Sequence, residues 1–397
     1  MKILEINKYF FVKGGAEKHF FDVLDLLKEK GNETAVFSMC HGKNRQSGWN
    51  RYFVSEVGYT REYPLSKKIK GALRMFHSFE ARRKINKILD EFSPDIVHIH
   101  NIYHQLSPMI LFEIKKRGIP VVMTVHDYKL VNPNYNLFHD GKFYDRCRDR
   151  NFYQCFLDKC IKDSYIKSFI AMLEMYFHEF LGTYKKNIDA YVVPSGFVRN
   201  ILVERGIDGK KIKIIPHFVK ESEGEVFDNG ISEKYALFFG RIAKGKGVED
   251  LADVFKDRSD MKIYLAGNIE SDFILKNNND NIKHLGFLGK DLLKKYIRNA
   301  RFVVSPSKLP ETFGLVALES ISEGVPFIGY DSGAYSEIIR NGENGHLVKD
   351  KEELRKMVQK LSRSDDFDRE KIKKEALAKY DAEVYYDKLM EVFKSLA

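Results

Sequence analysis

Residues 310–320 read PETFGLVALES, and this stretch decides the fold. The run before it, residues 300–307 (ARFVVSPS), is short, apolar and closed by a polar turn, the pattern of a buried strand. Leu315, Val316, Leu318 and Ile321 follow at helical spacing until Gly324-Val325-Pro326 stops the helix. Residues 310–314 are therefore expected to form a strand-to-helix loop, the place where open α/β sheets bind ligands. Glu311 sits in that loop and Glu319 lies one to two turns into the helix. The N–H groups of Phe313, Gly314 and Leu315 at the helix start suit an anion or hydroxyl oxygens. A carboxylate accepts from two neighbouring hydroxyls at once, so two carboxylates suit a ligand with two diols. Taken in isolation, the same pattern is also ordinary helix-start chemistry.

Working outward through the C-terminal half, residues 235–240 (YALFFG) read as a strand and lead into GRIAKGKGVEDL. Arg241 and Lys246 there can hold two phosphates, Arg as a fork and Lys as a point charge. The glycines do not match the P-loop of nucleotide triphosphatases. Residues 261–268, 281–287, 325–330 and 344–348 are further strands, and Gly267-Asn268 and residues 286–289 rim the same edge. Helices are expected at 351–361, 371–380 and 382–396. Asp366 and Asp368 form a D-x-D, but in a polar linker far from any strand end, so the match is read as chance.

In the N-terminal half, residues 2–6 are a strand, residues 10–17 (FFVKGGAE) a glycine loop, and 16–30 an amphipathic helix. Gly14-Gly15 lets backbone approach a ligand closely. The fingerprint G-x-G-x-x-G is absent, which argues against a nicotinamide enzyme. Residues 34–38 are a second strand and 41–63 read as irregular. Residues 66–89 read as one basic helix with Lys67, Lys68, Lys70, Arg74, Arg82, Arg83, Lys84 and Lys87, interleaved with Leu73, Met75, Phe76 and Phe79. Such a helix suits an anionic membrane surface, or simply buries its apolar stripe. DIVHIH (95–100) and VVMTVH (121–126) are parallel-type strands around a helix near 107–117. His98 and His100 read as structural, while His126-Asp127 ends its strand at a site position. His-x-His also suits a metal, but no nearby carboxylate set completes such a site. The insertion at 128–162 carries Cys147, Cys155 and Cys160, expected to be free or loosely packed thiols, with zinc as the alternative. An apolar helix at 164–184, a strand at 191–194 and a polar linker at 221–232 complete the half.

The length of 397 residues suits two domains. No stretch is long and apolar enough to cross a membrane, and residues 1–4 lead straight into a strand without a secretory signal, so a cytoplasmic protein is expected. Four cysteines are too few for a disulfide scaffold. Residues 1–216 hold 36 Lys+Arg against 24 Asp+Glu, a balance of +12, whereas residues 217–397 hold 30 against 32, a balance of −2. The basic half suits anionic lipid or a phosphate-bearing acceptor. Nucleic acid is disfavoured, because no zinc finger, RNA-binding signature or long basic arm appears.

Glu-x-Phe-Gly-Leu-x-x-x-Glu after a Ser-Pro-Ser strand end resembles the signature of glycosyltransferase family 4, and the resemblance extends over nearly the whole chain. It implies an α/β protein of GT-B architecture, two Rossmann-like domains facing a cleft. The N-terminal domain would span residues 1–216, the donor domain 217–375, and a last helix at 376–397 would return to the first domain. It further implies a retaining, metal-independent transferase with a nucleotide diphosphate sugar as co-substrate and no cofactor. Arg241 and Lys246 would hold the donor diphosphate, Glu319 the ribose diol and Glu311 the donor-sugar hydroxyls. Gly15 and the Phe313, Gly314 and Leu315 backbone would line the donor, and His126 would sit beside its sugar. The basic charge of the N-terminal half, rather than the resemblance, suggests that the acceptor is a saccharide or lipid-linked saccharide of the cell envelope, met at the inner face of the membrane. The family pattern of Cys-Pro after His-Asp is Asn132-Pro133 here, so a fourth thiol ligand for zinc is missing. A sugar-nucleotide epimerase of the same architecture and a non-catalytic nucleotide-sugar binding protein are the alternatives.

Overall fold

The computed structural model describes residues 1–58, 64–220, 234–270, 273, 280–364 and 366–397. The apolar runs become strands: β1 (Lys2–Ile6), β2 (Glu33–Phe37), β3 (Ile96–Ile99), β4 (Val121–Thr124), a small hairpin β5 (Phe138–His139) and β6 (Lys142–Phe143), then β7 (Ala190–Val193) and β8 (Ile212–Ile214). They assemble in the order β2-β1-β3-β4-β7-β8, every neighbouring pair parallel, with the hairpin apart. The second half supplies β9 (Tyr235–Phe239), β10 (Lys262–Ala266), β11 (Ile282–Gly286), β12 (Phe302–Ser305), β13 (Phe327–Tyr330) and β14 (Gly345–Val348). Their order is β11-β10-β9-β12-β13-β14, again parallel throughout. Parallel strands are covered on both faces, which is why they read as near-continuous apolar runs. The order of the second sheet reverses between β9 and β12, and that of the first between β1 and β3. These switch points are where α/β sheets open a crevice beyond their strand ends.

The last helix, Ala382–Lys394, packs on the first domain, where Tyr385, Leu389, Met390 and Phe393 join Ile3, Val23 and Leu27 in one apolar cluster. The two crossings between domains run side by side, since Val219 forms a bridge with Asp381. The linker expected at 221–232 lies outside the described residues.

Three expectations are corrected. The basic run at 66–89 is two helices, Leu65–Phe76 and Phe79–Phe92, because Ser78 between them caps the second by accepting from the Ala81 N–H. Its cations do not all face solvent: Arg74 is buried and bonded to the Ser55 and Gln105 carbonyls and to Glu80, and Arg82 is bonded to Glu113. The helix at 164–184 breaks at Gly182, in left-handed backbone with φ 66°, into Tyr165–Leu181 and Thr183–Asn187. Finally, Cys155 and Cys160 are joined as a disulfide, so three free thiols are not there to bind zinc. Cys147 stays a thiol in the same apolar cluster with Tyr144, Phe152 and Met175, and burial pushes its pKa up to about 11.

Candidate functional site

The loop after β12 lies beside the glycine loop after β9, across the switch point of the second sheet. Lys246 Nζ donates to Glu311 Oε1 at 2.6 Å, and Ser307 Oγ donates to the same oxygen at 2.7 Å. Burial pushes the Glu311 carboxyl up, but the Lys246 charge and hydrogen bond, the Ser307 bond and the Arg241 charge outweigh it and hold it below its ordinary value. Arg241 is itself bonded to Glu270 at 2.6 Å. Gly314 precedes the helix Leu315–Ser322 with φ 105°, and a Cβ there would lie 2.6 Å from the Tyr335 ring, so the turn admits only glycine. The first N–H groups of that helix have no intrahelical acceptor. The Phe313 side chain is not part of the opening: it is buried, its ring 4.9 Å from His217 and 5.9 Å from Tyr380, which leaves only its backbone for a ligand.

The first domain closes on this loop. Tyr128 O–H donates to the Pro310 carbonyl at 3.0 Å, Ser195 Oγ–H to the Thr312 carbonyl at 2.6 Å, and Thr312 Oγ1–H to the His126 carbonyl at 3.3 Å. The N–H groups of Gly196 and Phe197 donate to Glu337 at 2.9 and 2.7 Å. Glu319 accepts from Lys18 Nζ at 2.6 Å. Burial pushes the Lys18 amine down, yet Glu319 leaves it above its ordinary value. Gly15 opens the helix Gly15–Glu29, and a Cβ on it would come 2.9 Å from Leu315 Cδ1. The strand-to-helix loops of the two sheets thus meet at one place.

His126 is half-buried, and its Nε2 lies 2.8 Å from His100 Nδ1. Burial and the neighbouring histidines push its pKa well down. Below it the expectation about His98 and His100 needs correction, for a carboxylate does reach them: Glu5, from β1, bonds both rings. Their ligand atoms lie within 4.8 Å of one another.

Gly15, His126, Lys246, Glu311, Leu315 and Glu319 are brought to one interface, with Arg241 beside Glu270 at its rim. Glu5, Lys18, His19, His217 and Glu270 were not singled out from sequence. Glu5 carried a readable signal, a charge inside the strand KILEI; Lys18 and Glu319 are 301 residues apart and gave none. The chance reading of D-x-D agrees with Asp368 capping the helix Arg369–Lys379 and Asp366 accepting from Ser364.

This architecture, two parallel Rossmann-like sheets with their loops meeting at a shared edge, is the GT-B fold. The family model "Glycosyltransferase Family 4" matches residues 13–223, more than half of the chain, and "Glycosyl transferases group 1" matches residues 221–379. The chain belongs to glycosyltransferase family 4 and is a glycosyltransferase. It is 23% identical over 369 residues to a 42.6 kDa protein in the cps region of Klebsiella pneumoniae, covering 89% of this chain and 91% of that protein. It is 28% identical over 410 residues to the phosphatidyl-myo-inositol mannosyltransferase of Mycobacterium leprae, covering 100% and 97%. Among solved structures it resembles Anabaena HepE in complex with UDP and glucose, with a TM-score of 0.67, 15% identity and full coverage of both chains. No helix of the described residues is long and apolar enough to cross a membrane.

Proposed function

We propose that the protein is a retaining, metal-independent glycosyltransferase that moves a hexose or related sugar from a nucleotide diphosphate sugar to an acceptor hydroxyl in cell-envelope or capsular polysaccharide synthesis. The observation that carries this reading is the meeting of Arg241, Lys246, Glu311 and Glu319 with the Gly15 loop and His126. Arg241 and Lys246 stabilise the charge that grows on the leaving diphosphate, the task a divalent ion takes in other transferases. Glu311 receives donor-sugar hydroxyls and Glu319 the ribose diol. The bond from the anomeric carbon to the diphosphate breaks as the acceptor oxygen bonds on the same face. The acceptor proton passes to the departing phosphate oxygen. Each cation has a carboxylate partner, so a diphosphate takes over Arg241 from Glu270 and shares Lys246 with Glu311. The relatives in a cps region and among lipid mannosyltransferases support an envelope acceptor.

A cytoplasmic enzyme held at the inner membrane face fits the surface of the first domain. The helices Leu65–Phe76 and Tyr165–Leu181 touch through Phe76 and Phe177, ring centroids 5.5 Å apart. They expose Leu65, Ile69, Leu73, Ile166, Phe169 and Phe180, the last 87% accessible. Lys67, Lys68 and Lys70 lie on the first of them, a combination suited to anionic lipid. Sedimentation with anionic vesicles at low salt, lost in Ile69→Glu/Leu73→Glu, supports this; a wild-type protein that stays in solution refutes it.

Thermal stability with UDP, GDP, ADP, CMP and dTDP, each without metal, tests the donor site. A nucleotide at ~100 times its Kd stabilises the fold by about 2.7 kcal/mol. One nucleotide should do so, and Glu319→Ala should abolish the shift. Turnover that requires an acceptor separates the transferase from an epimerase, which forms product from donor alone, and binding without turnover would favour the non-catalytic reading.

A further inference from the structure

Glu5 is fully buried, and the register sets it beside His98 on β3. Its Oε1 lies 2.9 Å from His98 Nδ1 and its Oε2 3.2 Å from His100 Nε2. The outer nitrogens continue the chain: His98 Nε2 is 2.7 Å from Thr124 Oγ1, and His100 Nδ1 is 2.8 Å from His126 Nε2. Protons can be counted along it. Burial pushes the Glu5 carboxyl up, but the His98 charge and the hydrogen bonds from both rings bring it down to about 2, so it is ionised and only accepts. Each ring therefore turns an N–H toward it. Burial and His98 hold His100 at about 4, despite the pull of Glu5, so His100 is neutral and has no second N–H. Its Nδ1 is an acceptor, and the proton in the 2.8 Å contact belongs to His126 Nε2. Burial keeps His126 neutral as well, which leaves a lone pair on Nδ1. Among the described residues that nitrogen has no hydrogen-bond partner.

We propose that Glu5, acting through His100, is a positioning residue that fixes His126 as its Nε2–H tautomer, so that its bare Nδ1 accepts the O–H of a sugar hydroxyl in the cleft. The role of the hydroxyl rests on the transferase reading above; the tautomer does not. One hydrogen bond on a ring sets which nitrogen carries the proton on the other side. Glu5, His98 and His100 are also spaced for a cation. A cation there would have to displace the two protons that face Glu5, so the metal content of the purified chain decides between the two arrangements.

Nitrogen-15 NMR of the full chain with labelled histidine reads this directly, His126 being assigned by the signals lost in His126→Gln. The expected wild-type spectrum has His126 neutral and protonated on Nε2. Glu5→Gln should mix the tautomers and lower kcat about 10- to 100-fold, with the donor KM changed less than about two-fold. Should Glu5→Gln fail to fold, the wild-type spectrum decides alone. A wild-type His126 protonated on Nδ1, an unchanged tautomer in Glu5→Gln, or one zinc per purified chain would overturn the proposal. A wild type that transfers no sugar sinks the transferase reading instead, while the spectrum, which needs no substrate, still decides the relay.

Discussion

The two sheets bring opposite materials to the same cleft. The edge of the second sheet is built from charges in pairs: Lys246 with Glu311, Arg241 with Glu270 and, across the cleft, Lys18 with Glu319. The edge of the first is built from neutral rings, His19, His100, His126 and His217, packed at centroid distances of 3.8 to 6.4 Å above one buried carboxylate. The charged side suits a ligand that brings its own charge, since a phosphate can replace the carboxylate partner of a cation with an equally charge-assisted hydrogen bond. The neutral side suits a reacting centre, because a dry polar wall strengthens whatever field reaches it.

The largest test of this contrast strikes the charged side. Lys246→Ala should lower kcat/KM about 10²- to 10³-fold, the usual loss of one preorganised charge stabiliser. Steady-state kinetics with the identified donor measures it, and a loss under tenfold would mean Lys246 is not at the diphosphate.

Acid should act on the neutral side. His100 and His217 lie at about 4 and about 3, against an ordinary 6.5, chiefly through burial. Below pH 6.5 the unfolded chain binds protons that these folded rings refuse. Stability is therefore complete above that value and falls with pH toward 4 and then 3, by up to about 1.4 kcal/mol per pH unit for each ring. Glu5, at about 2, adds a loss of the same sign below its ordinary 4.5. Hydrogen exchange at pH 5 should open β1, β3 and β4 before β9 and β12. Equal protection of both sheets would erase the contrast.

The smallest effect belongs to the bridge between them. Lys18 and Glu319 are 35% and 19% exposed, so Lys18→Ala should cost under about 1 kcal/mol in urea unfolding. A loss above 3 kcal/mol would make that pair a structural lock rather than an exchangeable contact.

Much of this was legible in the sequence for a physical reason: strands buried on both faces are apolar throughout, so 235–240 and 300–307 announced themselves, and Glu311 and Lys246 flanked glycine turns that local spacing reveals. The break at Ser78 was missed because helical periodicity runs across it, although Ser78 with Glu80 two residues on is cap chemistry. The Glu5 chain was missed because its bonds span 93 and 95 residues, and strand register, not composition, brings them together. The Cys155–Cys160 bond closes only five residues, a spacing that served thiols and disulfide equally well.

The hydrogen bonds from Tyr128, Ser195 and Thr312 make residues 310–314 common property of two domains. A separation of the sheets must release all of these bonds together. The loop is then a coincidence detector: its shape carries the news that the other half of the molecule is in place.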